Sequence, residues 1–305
     1  MTGAGRCSLT SEARGEPMVG TASTVRSWLL LEDPGPWGRD ALRDARLPER
    51  IGLELRRRCR AAGVRPLLIR RPAATPPTPR AGVRCFAIRS GPESPWIEGA
   101  RLGAVADALN LDLVGLGRGV RPGLTPHGSP VFLVCTHGRR DPCCAERGRP
   151  LARALGAAFP DETWEGSHIG GDRFAGNLLA FPYGLYLGRV RPDEGADVAR
   201  TYAAGRVPLE HLRGRSCYPM AVQAAEHTLR AREDLAGLDD LALERTEERE
   251  GGSTATFRTP RGRFAVSVVV EASAPAHLTC RSRAEEPAPA YRVTGVERLA
   301  DPDGS

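Results

Sequence analysis

Four consecutive apolar residues, Val131-Phe-Leu-Val134, run without a break into a polar loop that carries three cysteines, Cys135, Cys143 and Cys144. An apolar run this short reads as a buried strand, and the residues from Ala145 to Leu155 read as a helix. The chain therefore leaves a sheet, turns through Thr-His-Gly-Arg-Arg-Asp-Pro and enters a helix, with its thiols in or beside the connection. Loops placed this way are where ligands are usually displayed. The positive end of a helix also lowers the proton affinity of a nearby thiol, which makes Cys143 and Cys144 better nucleophiles or ligands than average.

A similar strand and helix pattern precedes this one. Thr24 to Leu31 reads as a buried strand closed by Asp33-Pro-Gly-Pro36, Leu47 to Ala62 carries apolar residues at helical spacing, and Val64 to Ile69 reads as the next strand. Together they predict a βαβ unit. A turn or hinge is expected at Pro72 to Pro79, a strand at Val83 to Ile88 and a helix at Ala100 to Leu109. Past the cysteine loop, Phe174 to Ala180 reads as a short helix or strand entry, and Leu178 to Val190 as a hairpin turning at Pro182-Tyr-Gly184. Asp193 to Ala203 and Ser216 to Glu233 read as helices. From Leu241 the pattern changes to alternation, in Thr254–Arg258 and Arg263–Val270, with turns at Gly251-Gly252 and Pro260–Gly262. The expected fold class is α/β, with a first α/β domain over residues 20–125, a second over 126–235 and a small antiparallel β-rich appendage over 236–305. The two βαβ regions are candidate structural doubles.

A second segment joins the cysteine loop as a source of chemistry. In Ser167-His-Ile-Gly-Gly-Asp-Arg-Phe-Ala-Gly-Asn177, His168 and Asp172 stand four residues apart around a Gly-Gly pair that lets the backbone turn sharply or approach another group closely. His168 offers an imidazole nitrogen and Asp172 a carboxylate oxygen to a metal. Asp172 before Arg173-Phe-Ala is equally a good helix N-cap. Arg139, Arg140 and Asp141 shape the loop by ion pairing or dock an acidic redox partner, the first being the simpler reading. Cys7, Cys59, Cys85 and Cys280 have no partner at useful spacing and read as packing residues.

Composition narrows the classes. The net charge is +6 and all 43 basic residues are arginine, spread along the chain among carboxylates, so the electrostatic footprint of a nucleic-acid binder is weak. No apolar stretch approaches the roughly 18 to 20 residues of a membrane span, and the first twenty residues lack a signal-peptide core. The expectation is a cytoplasmic chain without a membrane partner. Eight cysteines are too few for a disulfide scaffold at this length and point to metal, catalysis or burial. No pair of carboxylates stands out for glycoside hydrolysis.

The ordered set Cys135-Thr-His-Gly-Arg-Arg-Asp with Cys144, then Ser-His-Ile-Gly-Gly-Asp-Arg-Phe-Ala-Gly-Asn, then Phe-Pro-Tyr-Gly-Leu-Tyr-Leu-Gly-Arg-Val resembles the sucrase/ferredoxin-like family. Trp28-Leu-Leu-Leu-Glu-Asp-Pro-Gly-Pro-Trp-Gly38 resembles its bacterial members, and together the likeness spans most of residues 7 to 230. The resemblance implies a thioredoxin-like domain followed by a thioredoxin-like ferredoxin domain. It also implies a [2Fe–2S] cluster, held in fungal members by two cysteines and two histidines, and with it electron transfer or redox homeostasis. The cysteines of that pattern fall on Cys135 and Cys144, and the first histidine on His168. The second falls where this chain has Asp172, because His-x-x-x-His is replaced by His-x-x-x-Asp. The fourth ligand is thus open, with Asp172 first and Cys143, His137 or Cys217 as replacements. A histidine ligand raises the potential above that of plant-type ferredoxins.

Two other classes remain in view. A thiol oxidoreductase would attack a disulfide through Cys143 or Cys144 and resolve with Cys135, although the chain lacks a C-x-x-C motif. A binding protein would use the Ser216 to Glu233 helix and the tail sheet to recognise a partner or nucleic acid. The redox donor and acceptor are not legible from the sequence.

Overall fold

The computed structural model describes residues 5–73 and 82–300. Its centre is a ten-stranded mixed sheet built from two copies of one topology. In the first, β1 (Ser27–Glu32) and β2 (Val64–Arg70) are parallel and joined through helices α2 (Ala41–Asp44) and α3 (Glu49–Ala61); β3 (Val83–Arg89) then lies antiparallel to β1, and β4 (Trp96–Leu102) antiparallel to β3. A short helix, α4 (Leu113–Gly117), and a two-residue strand, β5 (Thr125–Pro126), complete it. In the second, β6 (Val131–Cys135) and β7 (Thr163–Gly166) are parallel across α5 (Pro142–Ala158), β8 (Leu178–Phe181) is antiparallel to β6, and β9 (Leu185–Leu187) antiparallel to β8. Helix α6 (Gly195–Ala203) and edge strand β10 (Leu212–Arg215) follow. The sheet order is β10-β9-β8-β6-β7-β2-β1-β3-β4-β5, so the halves meet edge to edge where β2 runs antiparallel to β7, with Ile69 opposite Gly166 and Arg70 opposite Glu165. The sheet runs unbroken across residue 125. The structural doubling expected from the two βαβ regions is present.

Alternation of side chains across each strand explains how the sheet is buried. Trp28 and Leu30 share a core with Val131, Leu133, Trp164 and Phe181, whereas Leu29 and Leu31 face α3 through Leu55 and Cys59. Trp28 on β1 touches Phe181 on β8, ring centroids 5.2 Å apart, although three strands lie between them in the sheet order. Strands are about 4.8 Å apart, so this contact requires the sheet to fold over near the β2·β7 seam. The inner faces of the two halves then pack on each other, while α3 covers the outer face of one half and α5 and α6 that of the other. At the seam Arg70 pairs with Glu165 at 2.7 Å, and Thr136 Oγ1 donates to the same carboxylate at 2.9 Å.

The expected helix at Ala100 to Leu109 is corrected: residues to Leu102 belong to β4, and a 3₁₀ turn occupies Val105–Asn110. Pairing with β3 over its whole length overrides the weak local preference of Glu-Gly-Ala-Arg. The turn expected at Pro72 to Pro79 lies, from residue 74 on, outside the described residues. The hairpin around Pro182-Tyr-Gly184 forms as β8 and β9. Helix α7 (Met220–Glu233) starts after Pro219, four residues later than Ser216, because proline suits the start of a helix and not its interior.

The tail is a four-stranded antiparallel sheet, β11 (Ala242–Arg249), β12 (Gly252–Thr259), β13 (Gly262–Ala272) and β14 (Pro289–Leu299), in sequence order. Val222, Ala225 and Leu229 of α7 pack on Phe257, Phe264, Val266 and Val268 of that sheet, with Cys217 in the same core. Helix and tail sheet, the surfaces a binding protein would use, therefore cover each other. No helix among the described residues is long and apolar enough to cross a membrane.

Candidate metal centre

The cysteine loop is fixed from both ends. Asp141 caps α5 by accepting the Cys143 amide at 2.9 Å, so the helix begins at Pro142 and both neighbouring cysteines lie in its first turn. Further along the helix, Gly148 lies against the end of β6: a Cβ there would stand 2.1 Å from the Cys135 carbonyl. This close helix-to-strand approach brings Cys144 over Cys135.

The His168 segment reaches the same place from β7. Gly171 takes a left-handed conformation (φ +77°), and a side chain there would strike the Arg213 guanidinium. The turn aims His168 and Asp172 back at the cysteines, and ligand atoms of Cys135, Cys144 and His168 all lie within 4.8 Å of one another. Asp172 Oδ1 is 3.1 Å from Cys144 Sγ. Asp172 does not act as an N-cap: its 3₁₀ turn, Asp172–Phe174, is preceded by Gly171 and has no side-chain cap. Nδ1 of His168 lies 3.1 Å from Asp172 Oδ1 but off the line of a hydrogen bond, leaving a buried nitrogen with no hydrogen-bond partner.

Electrostatics separate the four groups. A hydrogen bond from Cys144 outweighs burial and, with His168 beside it, holds the Cys135 thiol well below its ordinary value, while the same contact and burial push Cys144 well above. Burial opposes charge on His168, yet Asp172 and Cys135 win and pull the imidazole up to about 9. Burial would raise Asp172, but His168 and Cys144 hold it low. Behind the Gly-Gly turn sits Arg213, 1% exposed, donating to Asn177 Oδ1 (2.7 Å), Gly170 O (3.1 Å) and Thr21 O (2.6 Å). Among the described residues it has no carboxylate at ion-pairing distance, and burial lowers its pKa to about 10. A buried cation without an anion is costly, and the Asp172 carboxylate and Cys135 thiolate of this centre act on it in the opposite sense, favouring its charge.

The other candidate ligands are placed elsewhere. His137 uses both ring nitrogens, donating from Nε2 to Gly38 O at 2.9 Å and accepting the His168 amide on Nδ1 at 3.2 Å. Cys217 is packed in the tail core and Cys59 and Cys85 in the core beside α3. Cys143 points away from Cys144 into a second group with Cys7, Cys280 and Asp141. Cys7 and Cys280, read from the sequence as packing residues, are thus brought together with Cys143. Their separations of 136 and 137 residues from it carry no local signal. Arg139 and Arg140 form no ion pair with Asp141; their carbonyls accept from Arg281 instead.

Fold and site define an α/β protein whose folded-over sheet presents a cysteine and histidine group able to hold a metal ion. Its sequence places it more closely. The chain belongs to the sucrase/ferredoxin-like family, whose sequence model matches residues 18–214. No curated protein and no solved structure gives a significant match.

Proposed function

We propose that this protein is an electron-transfer or redox-homeostasis protein that holds a [2Fe–2S] cluster through Cys135, Cys144, His168 and Asp172. The observation that carries the reading is the convergence of Cys135, Cys144 and His168, whose ligand atoms lie within 4.8 Å of one another, with Asp172 Oδ1 3.1 Å from both Cys144 Sγ and His168 Nδ1. The donor set also fits in charge: the Cys135 thiolate and the Asp172 carboxylate interact with Arg213, whose buried cation offsets the negative charge such a group carries. Bound there, the cluster supplies one reversible electron, with an imidazole ligand favouring a potential above plant-type ferredoxins.

The protein's own residues set the conditions for that chemistry. Cys135 and Cys144, each 1% exposed, keep water from the thiolates, while the His168 side chain is 25% exposed and forms the route outward. Arg65 holds that route in place by donating to the His168 carbonyl at 3.2 Å. Exposed Arg39, Arg139 and Arg281 line a groove beside the loop, a surface suited to an acidic redox partner. The shared strand order of the halves, β2-β1-β3-β4 and β7-β6-β8-β9, each with its first two strands parallel, supports the thioredoxin-like reading of both. Burial of Cys135 and Cys144 speaks against thiol exchange, which needs an accessible thiolate. The proposed location is the cytoplasm, whose reducing conditions suit unpaired thiols.

The test is the visible and electron paramagnetic resonance spectrum of anaerobically purified protein, with iron and sulfide assays, repeated for His168→Ala and Asp172→Ala. Iron and sulfide at about two each per chain, altered by both substitutions, are expected. A colourless, iron-free protein after anaerobic reconstitution would overturn the reading.

A further inference from the structure

Three cysteines far apart in sequence meet beside the proposed cluster site. Cys7 opens helix α1 (Cys7–Ala13), Cys143 stands in the first turn of α5, and Cys280 lies in the long connection between β13 and β14. Their sulfurs form a triangle with sides of 3.7 Å (Cys7–Cys143), 3.3 Å (Cys143–Cys280) and 3.5 Å (Cys280–Cys7). Cys7 and Cys143 are buried and Cys280 is half-buried. A disulfide needs sulfurs about 2.05 Å apart, and one pair so joined would leave the third thiol alone. Three sulfurs at nearly equal separation instead match the face of a tetrahedron: zinc–sulfur bonds of about 2.3 Å place thiolates about 3.8 Å apart.

The surroundings are also those of a thiolate site. Ser8 Oγ is placed to donate to Cys143 Sγ at 3.2 Å, and the Cys7 amide donates to Cys280 Sγ at 3.5 Å. Both carboxylate oxygens of Asp141 lie 4.0 Å from Cys7 Sγ. Each accepts one backbone amide, Oδ1 from Cys143 at 2.9 Å and Oδ2 from Cys280 at 2.8 Å, which fixes the carboxylate and leaves a lone pair on each oxygen. These hydrogen bonds are the supporting shell that orients metal ligands.

We propose that Cys7, Cys143, Cys280 and Asp141 form a second metal site, which binds one zinc ion and clamps both ends of the chain onto the cysteine loop. Binding replaces the thiol protons, which pass to solvent as three thiolates and the carboxylate take the ion; no electron moves. Zinc suits the set because it is redox-inert and accepts three sulfurs and an oxygen in a tetrahedron. Cys7 and Cys280 fall outside residues 18–214 and Asp141 and Cys143 inside them, so the site ties the flanking segments to the matched region. It stands independently of the iron reading.

The experiment uses the full chain with Cys135→Ser and Cys144→Ser, which removes the thiols of the first group, expressed with zinc and purified under reducing conditions. Zinc per chain by mass spectrometry of the metal is measured beside Cys280→Ser, Asp141→Asn and a Cys59→Ala control. The expected result is one bound zinc, retained in the control, with affinity lowered by about ten-fold or more in Cys280→Ser. Replacement by Co²⁺ in the otherwise unaltered protein should add thiolate-to-cobalt charge-transfer absorption and strong tetrahedral bands, and this readout serves if a substituted chain fails to fold. Absence of both zinc and the cobalt bands, an unchanged zinc affinity in Cys280→Ser, iron in place of zinc, or a Cys143–Cys280 disulfide in the reduced protein's mass would each overturn the proposal.

Discussion

Cys143 and Cys144 are neighbours in the chain and face different groups: Cys144 Sγ lies 3.1 Å from Asp172, and Cys143 Sγ lies 3.3 Å from Cys280. Successive residues on a helix are rotated by about 100°, so one turn of α5 can serve two sites at once. The two cysteines are thus not interchangeable, even though no spacing rule distinguishes them in the sequence.

Single substitutions should separate them. Cys144→Ser is expected to lose most of its iron and keep its zinc, and Cys143→Ser the converse. Metal content of each purified variant decides this, and parallel loss of both metals in both variants would mean one shared site.

Asp172→His restores two histidines four residues apart. Exchanging an anionic ligand for a neutral one lowers the negative charge of the centre, so the midpoint potential should rise by an amount on the order of 100 mV. A potentiometric titration followed by absorption measures it. An unchanged or more negative midpoint would show that Asp172 does not ligate.

Arg213 makes the opposite prediction. Removing its buried cation with Arg213→Gln leaves the reduced, more negative state less well stabilised, and the midpoint should fall by something on the order of 50–100 mV. The same titration checks it, with iron content confirming that the centre is still loaded.

Glu226 is the anion of a buried cluster in which its Oε1 accepts from Arg215 at 2.7 Å and from Arg230 at 2.9 Å. Burial would raise its pKa, but the two guanidinium groups hold it below the usual carboxylate value. The stabilisation is therefore present above the unfolded-state pKa of about 4.3 and is lost as pH falls through the folded-state value. Glu226→Gln should cost about 3–5 kcal/mol at neutral pH, because it leaves two buried cations unpaired. The gap between the two proteins should start to narrow below about pH 4, where the unfolded chain takes up the proton first, and close as the folded protein's Glu226 is neutralised at lower pH. Chemical denaturation at several pH values tests this.

Much of this arrangement is legible in the sequence where the information is local. The Val131–Val134 run, the cysteine loop and the His168 turn lie within 50 residues, and each announces its element by apolar run or glycine pair. The Cys7 and Cys280 contacts are not legible, because they depend on where α1 and the β13–β14 connection come to rest. Strand β4 is hidden for a related reason: Trp96–Leu102 carries a glycine and two charged residues and becomes a strand through its partner β3. The shared seam at β2·β7 depends on two residue pairs, too few to leave a pattern.

That seam has a consequence for how the protein behaves in a crowded solution. Each half, taken alone, would end in an unpaired strand, β2 or β7, offering its backbone groups to any passing chain. Joined back to back, the halves use up those two strands on each other, and Arg70 and Glu165 seal the join with opposite charges. What is left at the margins is β10, four buried residues long, and the β4 end with its two-residue strand β5. Short, shielded margins are poor templates for edge-to-edge stacking, so the doubling that builds the half with the candidate metal centre also guards it against aggregation.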